Sequence, residues 1–404
     1  MTAITETNLL SQRLNALAES ETLAMTKKAR ELAAQGHKVI SLSVGEPDFP
    51  TPQYIKDAAK KAIDDGFTTY TPVPGYPELR KAIAEKFKRD NHLHWEMENI
   101  VVSTGAKQSI ANVLLSVVDP GDEVIIFAPY WVSYIEMVKL AEGTPVVVSG
   151  GIENDFKVTA EQVAQAITPN TKAILFSTPC NPTGSVFSEK ELRAIAEVVA
   201  KNERIIVIAD EIYEYINFEG SHFSIGSIDE IRERVVTVNG VSKGFAMTGW
   251  RVGYIGAPKY IAAACDKIQG QVTSGTCSIA QKASLAAVNG DLSAPKEMAA
   301  AYRRRRDLVI GLLKEIPGLK VNVPTGAFYA FPDVSAYLGK TAPDGSRIEK
   351  ASDLSMHILN DVYVSSVGGD AFGAPDCIRI SFAASDDNLK EALRRIKECL
   401  AKLQ

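Results

Sequence analysis

The chain has 404 residues, of which 46% are hydrophobic and 23% charged, with a formal net charge of −5. A single hydrophobic core stops growing at roughly 250–300 residues, so two compact lobes are expected. The acidic balance lacks the basic footprint of a nucleic-acid-binding protein, and no run approaches the ~18 apolar residues of a membrane span. We therefore expect a cytoplasmic protein that binds neither nucleic acid nor membranes.

The cysteines are scattered and form no C-x-x-C pair. They number five: Cys180, Cys265, Cys277, Cys377 and Cys399. An odd, dispersed set argues against both a disulfide framework and a zinc site, so buried free thiols and no bound metal are predicted.

From about Lys38 onward, β-branched apolar runs alternate with helical patterns. The predicted strands are "IVVST", "EVIIFA", "AILFS", "IIVIAD", "VVTVNG" and "VGYIGA". Predicted helices between them include "PELRKAIAEKFKRD", "KQSIANVLLSVV" and "EKELRAIAEVVAKN", the last entered after Ser188. This alternation predicts an α/β fold, with a largely parallel sheet covered by helices on both faces.

The pattern changes after Asp291. A long charged helix, "PKEMAAAYRRRRDLVIGLLKEI", leads into "GAFYAFPDVS" and then into further helices around "CIRISFAA". These segments predict a second, smaller α+β lobe. The run of four arginines at 303–306 lies within the helical pattern, which favours a solvated helix face over a nucleic-acid patch.

Two possible nucleophiles stand side by side in "NGVSKGFAMTGWRVGYIGAP", namely Ser242 and Lys243. Ser242 lies in a G-x-S-x-G pattern, which in α/β-hydrolases needs a helix directly after the serine and then an acid and a histidine. Thr248 and Gly249 interrupt any such helix, and the only later histidine, His357, falls in a distant helical pattern. A serine hydrolase therefore remains a remote alternative.

Lys243 offers the second interpretation, because a lysine amine condenses with the aldehyde of pyridoxal phosphate. Polar residues follow several predicted strands where each strand ends, and the ends of parallel strands converge on one crevice. Asp210 would pair with a protonated ring nitrogen, Asn181 projects from a Pro/Gly turn, and Arg251 has a fork that suits a phosphate. A helix cap explains Asp210 equally well and a plain turn explains Asn181, and each signal is weak alone, so only their joint occurrence favours a cofactor site.

Two further segments fit the same cofactor. Gly105 and Ala106 open a predicted helix, where free backbone N–H groups suit a phosphate, although a tight turn explains them equally well. Trp131 lies after "EVIIF" and has the surface to cover an aromatic ring, although a core tryptophan is the simpler explanation.

With these residues assembled, the chain resembles the class I aminotransferases of the fold-type I pyridoxal phosphate enzymes, within them the prokaryotic-type (subgroup Ib) aspartate aminotransferases. The resemblance is nearly full-length and rests on "SVGEPDFPTP", "YTPVPGYPELR", "GAKQSI", "APYWVSY", "STPCNPTG", "ADEIYEYI", "SKGFAMTGWRVGY", "TGAFYAF" and "IRISFAAS". It implies a mainly parallel seven-stranded sheet with helices on both faces, plus a smaller α+β domain. The implied boundaries are 48–304 for the large domain, and 1–47 with 305–404 for the small one.

The resemblance also implies site residues. Lys243 is expected to bond to pyridoxal 5'-phosphate, Asp210 to pair with its pyridinium nitrogen and Tyr213 to bond its ring oxygen; these are the predicted catalytic residues. The other implied cofactor-binding residues are Gly105, Ala106, Trp131, Asn181, Ser242, Arg251 and, from the neighbouring subunit, Tyr70. The implied substrate-binding residues are Gly45, Lys107, Trp131, Asn181, Arg379, Ser20 and Thr22.

The expected activity is transamination between L-aspartate or L-glutamate and 2-oxoglutarate or oxaloacetate, in a homodimer with shared active sites. A bifunctional aspartate/prephenate aminotransferase and another class I aminotransferase remain open. Many members place a phosphate-binding serine three residues before the lysine, where this chain has Gly240. Ser242 is therefore predicted to be at most a partial phosphate ligand.

Overall fold

The computed structural model describes residues 9–19 and 21–404. Their helices are α1 (Gln12–Asn15), α2 (Glu21–Ala34), α3 (Gln53–Asp64), α4 (Pro77–Asn91), α5 (Ala106–Val117), α6 (Ser133–Leu140), α7 (Ala160–Ala166), α8 (Glu189–Ala200), α9 (Lys259–Val272), α10 (Ser278–Asn289), α11 (Ser293–Lys314), α12 (Ala351–Val362) and α13 (Asp386–Leu400). Their strands are β1 (Ile40–Ser41), β2 (Ile100–Ser103), β3 (Glu123–Ala128), β4 (Thr144–Ser149), β5 (Thr171–Ser177), β6 (Ile206–Asp210), β7 (Val235–Gly240), β8 (Gly253–Gly256), β9 (Tyr329–Ala330), β10 (Val364–Ser365), β11 (Val367–Gly368) and β12 (Ile378–Ser381).

A seven-stranded sheet in the order β2-β8-β7-β6-β5-β3-β4 forms the centre of the larger lobe. The contacts between β4, β3, β5, β6 and β7 are parallel, whereas β8 runs antiparallel to both of its neighbours. The central strands are continuously buried and rich in valine and isoleucine, as expected when helices cover both faces. The predicted α/β fold is confirmed.

The six strands predicted from the sequence are all present, and β4 is the one strand of the seven-stranded sheet that was not among them. Its sequence, "TPVVVS", contains Pro145 and is only partly buried. A proline cannot donate to the ladder and is confined to sheet edges, where β4 lies. Helix α8 begins where predicted, since Ser188 and Glu191 form a reciprocal capping box.

The smaller lobe is built on an antiparallel sheet in the order β11-β12-β9, beside a parallel pair of β1 with β10. Helices α11, α12 and α13 surround these short strands, and one hydrophobic cluster joins them to residues 212–218 of the larger lobe. The predicted α+β character of this lobe is confirmed. None of the helices within residues 9–19 and 21–404 has the length and hydrophobicity needed to cross a membrane.

The arginine run corrects one expectation. Arg303 and Arg304 are exposed as predicted, but Arg305 and Arg306 are buried. The guanidinium of Arg305 lies 2.8 Å from a carboxylate oxygen of Asp48, and that of Arg306 donates to a backbone carbonyl. Successive residues on a helix point in different directions, so half of the run faces the protein.

The prediction that the cysteines are buried is wrong for one of them. Cys277 is exposed, whereas the other four are buried.

A buried charge cluster joins the segment that follows Asp210 to helix α4. It consists of Lys86, Asn91, Glu211, Glu214 and His222. Lys86 forms an ion pair with Glu214 and donates to Asn91 at 2.7 Å, and Asn91 donates to Glu214 at 2.7 Å. The ring of His222 lies 3.0 Å from a carboxylate oxygen of Glu211. Burial of these charges is tolerable because each is paired.

The protonation of His222 links this cluster to pH. Burial opposes the positive charge, but the carboxylates of Glu211 and Glu214 outweigh that effect and raise the pKa of His222. A basic group with a raised pKa stabilises the fold fully below its unfolded pKa, ~6.5 for histidine. That contribution is lost as the pH rises through the folded pKa.

We predict that His222→Gln lowers the free energy of unfolding more at about pH 6 than at about pH 9. The neutral amide cannot form the ion pair that the protonated imidazole of His222 makes with Glu211. Urea unfolding of both proteins at the two pH values measures this difference. The matched control is His94→Gln, which removes an exposed imidazole outside this cluster. An equal loss for His222→Gln at both pH values would contradict the ion pair.

Candidate active site

A cavity of about 380 Å³ opens at the carboxyl ends of the central strands. Its lining comes from the segments after β5, β6 and β7, from the start of α5 and α6, and from β12 of the smaller lobe. Of the predicted site residues, the lining contains Thr22, Gly45, Ala106, Lys107, Trp131, Asn181, Asp210, Tyr213, Ser242, Lys243, Arg251 and Arg379. Parallel strands bring these residues together although they are far apart in sequence.

Lys243 follows β7 and is partly buried in the cavity. Its amine Nζ donates to the carbonyl oxygen of Gly45 at 2.5 Å and lies 5.6 Å from the ring of Tyr213. Burial lowers the pKa of Lys243 to about 8, although the negative charge of Glu46 opposes this effect. A substantial neutral fraction therefore exists near neutral pH, as a nucleophile or a base requires.

Asp210 ends β6 as a buried carboxylate. It accepts a hydrogen bond from the hydroxyl of Tyr134 at 2.7 Å and one from the backbone N–H of Ile212 at 3.2 Å. Burial raises the pKa of Asp210 to about 6, although both hydrogen bonds oppose the shift. Because burial disfavours the charged form of this carboxylate, a cationic partner inside the cavity would stabilise it. Tyr134 was not predicted; it lies in the quoted block "APYWVSY", in the first turn of α6.

Arg379 projects from β12 and is only 2% exposed. Its guanidinium donates to the side-chain oxygen of Asn181 at 2.9 Å and to the carbonyl of Ser43 at 2.6 Å. The rings of Tyr329 and Phe372 lie 4.7 and 5.0 Å from it. Within the described residues no acceptor reaches its buried Nε, so one donor of the fork is unused.

Tyr213 and Tyr329 join across the cavity floor through hydroxyl groups 2.7 Å apart. Burial raises the pKa of Tyr213 well above its usual value, so the phenol stays protonated and acts as a donor. A side chain at Gly45 would place its Cβ 2.6 Å from the Tyr329 hydroxyl, which explains the glycine there. Tyr329 was not assigned a role from the sequence, although it lies in the quoted block "TGAFYAF".

An anion cradle forms where β2 meets α5. Gly105 has a φ of +85° and provides no side-chain cap, so the first N–H groups of α5 stay open to a ligand. A Cβ on Gly105 would lie 2.4 Å from the Arg251 guanidinium, so glycine lets that cation approach the helix start. Arg251 itself has a φ of +56° and donates to the carbonyl of Thr248 at 3.0 Å.

Ser242 lines the cavity with Lys243, whereas Gly240 lies against β8. A Cβ at Gly240 would lie 2.9 Å from the carbonyl of Val252, so a serine there would force the strands to shift. Residues 241–247 form turns and not the helix that a hydrolase elbow needs, and His357 lies with Asp361 and Cys399, between α12 and α13. The geometry therefore gives the serine hydrolase interpretation no support.

The entrance of the cavity carries a second cation. The amine of Lys107 lies 4.9 Å from the ring of Trp131, and burial together with Arg251 lowers the pKa of Lys107. Thr22 and Leu23, at the start of α2, line the same side. Ser20 lies outside the described residues.

Among the described residues, Gly105 and Tyr70 are the predicted site residues outside the cavity lining; Gly105 lies against Arg251 of the lining, whereas Tyr70 does not reach it. Tyr70 is 99% exposed and lines a separate surface pocket with residues 275–278.

Comparison with known proteins agrees with this geometry. A family model described as aminotransferase class I and II matches residues 37–396. The chain belongs to this family. The aminotransferase is 46% identical over 400 residues to an aspartate/prephenate aminotransferase of Cereibacter sphaeroides, covering 98% of this chain and 99% of the relative.

Two solved structures resemble the aminotransferase over nearly its whole length. The aspartate aminotransferase of Rhizobium meliloti matches with a TM-score of 0.94 at 42% identity, covering 98% of this chain and 99% of that chain. The enzyme of Thermus thermophilus with maleate matches with a TM-score of 0.90 at 41% identity, covering 96% and 99%. The aminotransferase thus has the fold-type I architecture that the sequence predicted.

Proposed function

We propose that this aminotransferase is a pyridoxal 5'-phosphate-dependent aspartate aminotransferase, which exchanges an amino group between aspartate or glutamate and 2-oxoglutarate or oxaloacetate. The observation that carries the proposal is the convergence of Lys243, Asp210 and Arg379 on one cavity. An amine with a lowered pKa, a buried acid and a buried guanidinium with one unused donor together suit amino-acid chemistry on an aldehyde cofactor. The names of the relatives support the same activity.

The residues present fit the cofactor. Asp210 would hold the ring nitrogen, since its buried carboxylate suits a cation, and Tyr213 and Asn181 would bond the ring oxygen. Trp131 would cover the ring face. The phosphate would rest on the start of α5, on Gly105, Ala106, Ser242 and Arg251, with Tyr70 of a second subunit. The free N–H groups, the glycine with positive φ and the nearby guanidinium form an anion site of the required kind.

Bound there, pyridoxal phosphate would supply an aldehyde that bonds to amines and a ring that withdraws electrons from the adjacent carbon. The remaining tasks belong to the chain. Lys243 would bond that aldehyde in the resting enzyme, and the amino group of the incoming amino acid would displace it. The freed neutral amine of Lys243 would then take the proton from Cα of the amino acid and return it to the former aldehyde carbon, where the amino group stays when the 2-oxo acid leaves. Asp210 would keep the ring nitrogen protonated, and water would release the 2-oxo acid. A second 2-oxo acid reverses these steps, which gives ping-pong kinetics.

The acidic substrates follow from the two cations that the cofactor does not use. Arg379, with Gly45 and Asn181, would bind the α-carboxylate through its fork. Lys107 at the entrance would bind the side-chain carboxylate, with Thr22 and Ser20 contributing hydroxyl groups. Maleate, the dicarboxylate named with the Thermus thermophilus relative, is consistent with two such cations.

A second activity, transamination of prephenate, is favoured by the name of the Cereibacter sphaeroides relative. Its ring carboxylate would use Lys107 and Thr22 in the same way as the side chain of aspartate.

The proposal includes a homodimer, since Tyr70 is exposed outside the lining of its own cavity and would complete the site of a partner. It divides the chain into a large domain, 48–304, and a small domain, 1–47 with 305–404; the pairing of β1 with β10 supports joining the two ends. It places the protein in the cytoplasm, where its five unpaired cysteines would stay reduced.

The test of the function is a transamination assay. With pyridoxal phosphate present, the protein should convert aspartate and 2-oxoglutarate to oxaloacetate and glutamate, and Lys243→Ala should lose at least the ~10²–10⁴-fold that a positioned base contributes. Oxaloacetate formation is followed with a coupled dehydrogenase, and a second assay offers prephenate with glutamate as donor. Equal turnover by Lys243→Ala would refute the assignment of the base.

We predict that Lys107→Met lowers kcat/KM for aspartate by about tenfold to a hundredfold, because a charge-assisted hydrogen bond is worth ~1.5–3 kcal/mol. Methionine keeps the apolar stem over Trp131, so alanine, which has no side-chain carboxylate, should react as before. Parallel losses for aspartate and alanine would mean that Lys107 serves the phosphate site or the fold.

Mixing two inactive variants tests the shared active site. Tyr70→Ala and Lys243→Ala chains should each be impaired, but mixed dimers contain one site with neither substitution and should regain activity. The mixture is refolded together, and its activity is compared with each parent at the same total concentration. No gain on mixing would show that Tyr70 acts within its own chain or not at all.

A further inference from the structure

Glu46 lines the cavity but has no part in the chemistry described above. It follows Gly45, whose carbonyl accepts the hydrogen bond from the amine of Lys243. The carboxylate of Glu46 accepts a hydrogen bond from the hydroxyl of Thr248, and the carbonyl of Thr248 accepts one from Arg251 at 3.0 Å. A chain of contacts thus runs from the lysine to the arginine of the anion cradle, and Glu46 is in its middle.

The segment that carries Glu46, residues 45–51, has a second attachment to the same turn. The hydroxyl of Thr51 donates to the carbonyl of Ala246 at 2.6 Å and accepts from the indole of Trp250 at 3.0 Å. The segment is therefore fixed to the turn 246–251 at both ends. Its third contact, the ion pair of Asp48 with Arg305, leads away from the cavity to α11.

Cations outnumber anions around Lys243, which favours a carboxylate nearby. The charged groups that influence it are Glu46, Asp210, Arg251 and Arg379, and the phenol of Tyr213 faces its amine. Lys107 adds another cation to the cavity lining. The carboxylate of Glu46 would repel dicarboxylic substrates. Any favourable effect of this charge must therefore come from its interactions with other side chains of the protein.

We propose that Glu46 is a positioning residue of this site: its carboxylate holds the segment 45–51 against the turn that presents Arg251, and it balances the charge of Lys243 on the open side of the cavity. The inference rests on the proposed function and deepens it. The burial of Lys243 favours the neutral amine, and Glu46 offsets part of that effect. Loss of the charge and loss of the attachment should therefore have different consequences.

Three variants separate these two roles. Glu46→Gln removes the charge and keeps an oxygen that accepts from Thr248. Thr248→Val removes the hydrogen bond and keeps the charge. Asp48→Asn removes a carboxylate from the same segment, but at the attachment to α11.

The first measurement uses the protein without cofactor. The rate at which an amine reagent, trinitrobenzenesulfonate, modifies Lys243 is recorded against pH, with Lys243→Ala as the blank. The wild-type midpoint is expected at about 8. An exposed charge is screened, so Glu46→Gln should lower the midpoint by about half a pH unit, which makes modification at pH 7 roughly threefold faster. Thr248→Val and Asp48→Asn should leave the midpoint unchanged.

The second measurement is the equilibrium affinity for pyridoxal phosphate by dialysis. Thr248→Val should bind it several-fold more weakly, because the turn that carries Arg251 loses its hydrogen bond to Glu46, whereas Asp48→Asn should bind it as the wild type does. An unchanged midpoint in Glu46→Gln would overturn the inference. So would an Asp48→Asn variant that shifts the midpoint as much as Glu46→Gln and weakens cofactor binding as much as Thr248→Val. Failure of the wild type to transaminate would overturn the proposed function instead, because the reagent experiment does not depend on turnover.

Discussion

Burial of ionisable groups is the constraint on which the active site depends. Withdrawal from water raises the pKa of Asp210 to about 6 and lowers that of Lys243 to about 8, so both groups change charge near neutral pH. Neither shift requires an unusual residue. Each arises because the ends of strands buried on both faces form the floor of the cavity, where hydrogen bonds from Tyr134 and Ile212 replace only part of the lost hydration.

The same constraint explains why the site needs both lobes. Arg379 comes from the small sheet, yet its two hydrogen bonds go to Asn181, which follows a central strand, and to Ser43, which precedes the large lobe. A buried guanidinium without such acceptors would be costly, so the position of one lobe is fixed by the polar groups of the other.

The sequence predicted those parts of the molecule that follow from local pattern. Six central strands were recognisable as buried β-branched runs, and Lys243, Asp210 and Asn181 were recognisable because polar residues at strand ends converge. β4 was missed because an edge strand with a proline lacks that pattern. Tyr134, Tyr329 and the burial of Arg305 and Arg306 were missed because a phenol or a guanidinium becomes buried only when tertiary structure supplies its partner. Periodicity along the chain does not encode that partner.

The buried charge cluster behind Asp210 restricts how the protein can evolve. Loss of Lys86 alone would leave Glu214 as an unpaired buried anion, and removal of one partner of such a pair costs ~3–5 kcal/mol, a large share of the stability of a typical domain. Replacement of both partners by apolar residues of similar volume costs far less. Sequence drift at these positions is therefore expected to proceed by paired substitutions, through intermediates that selection tolerates only in an already stabilised background.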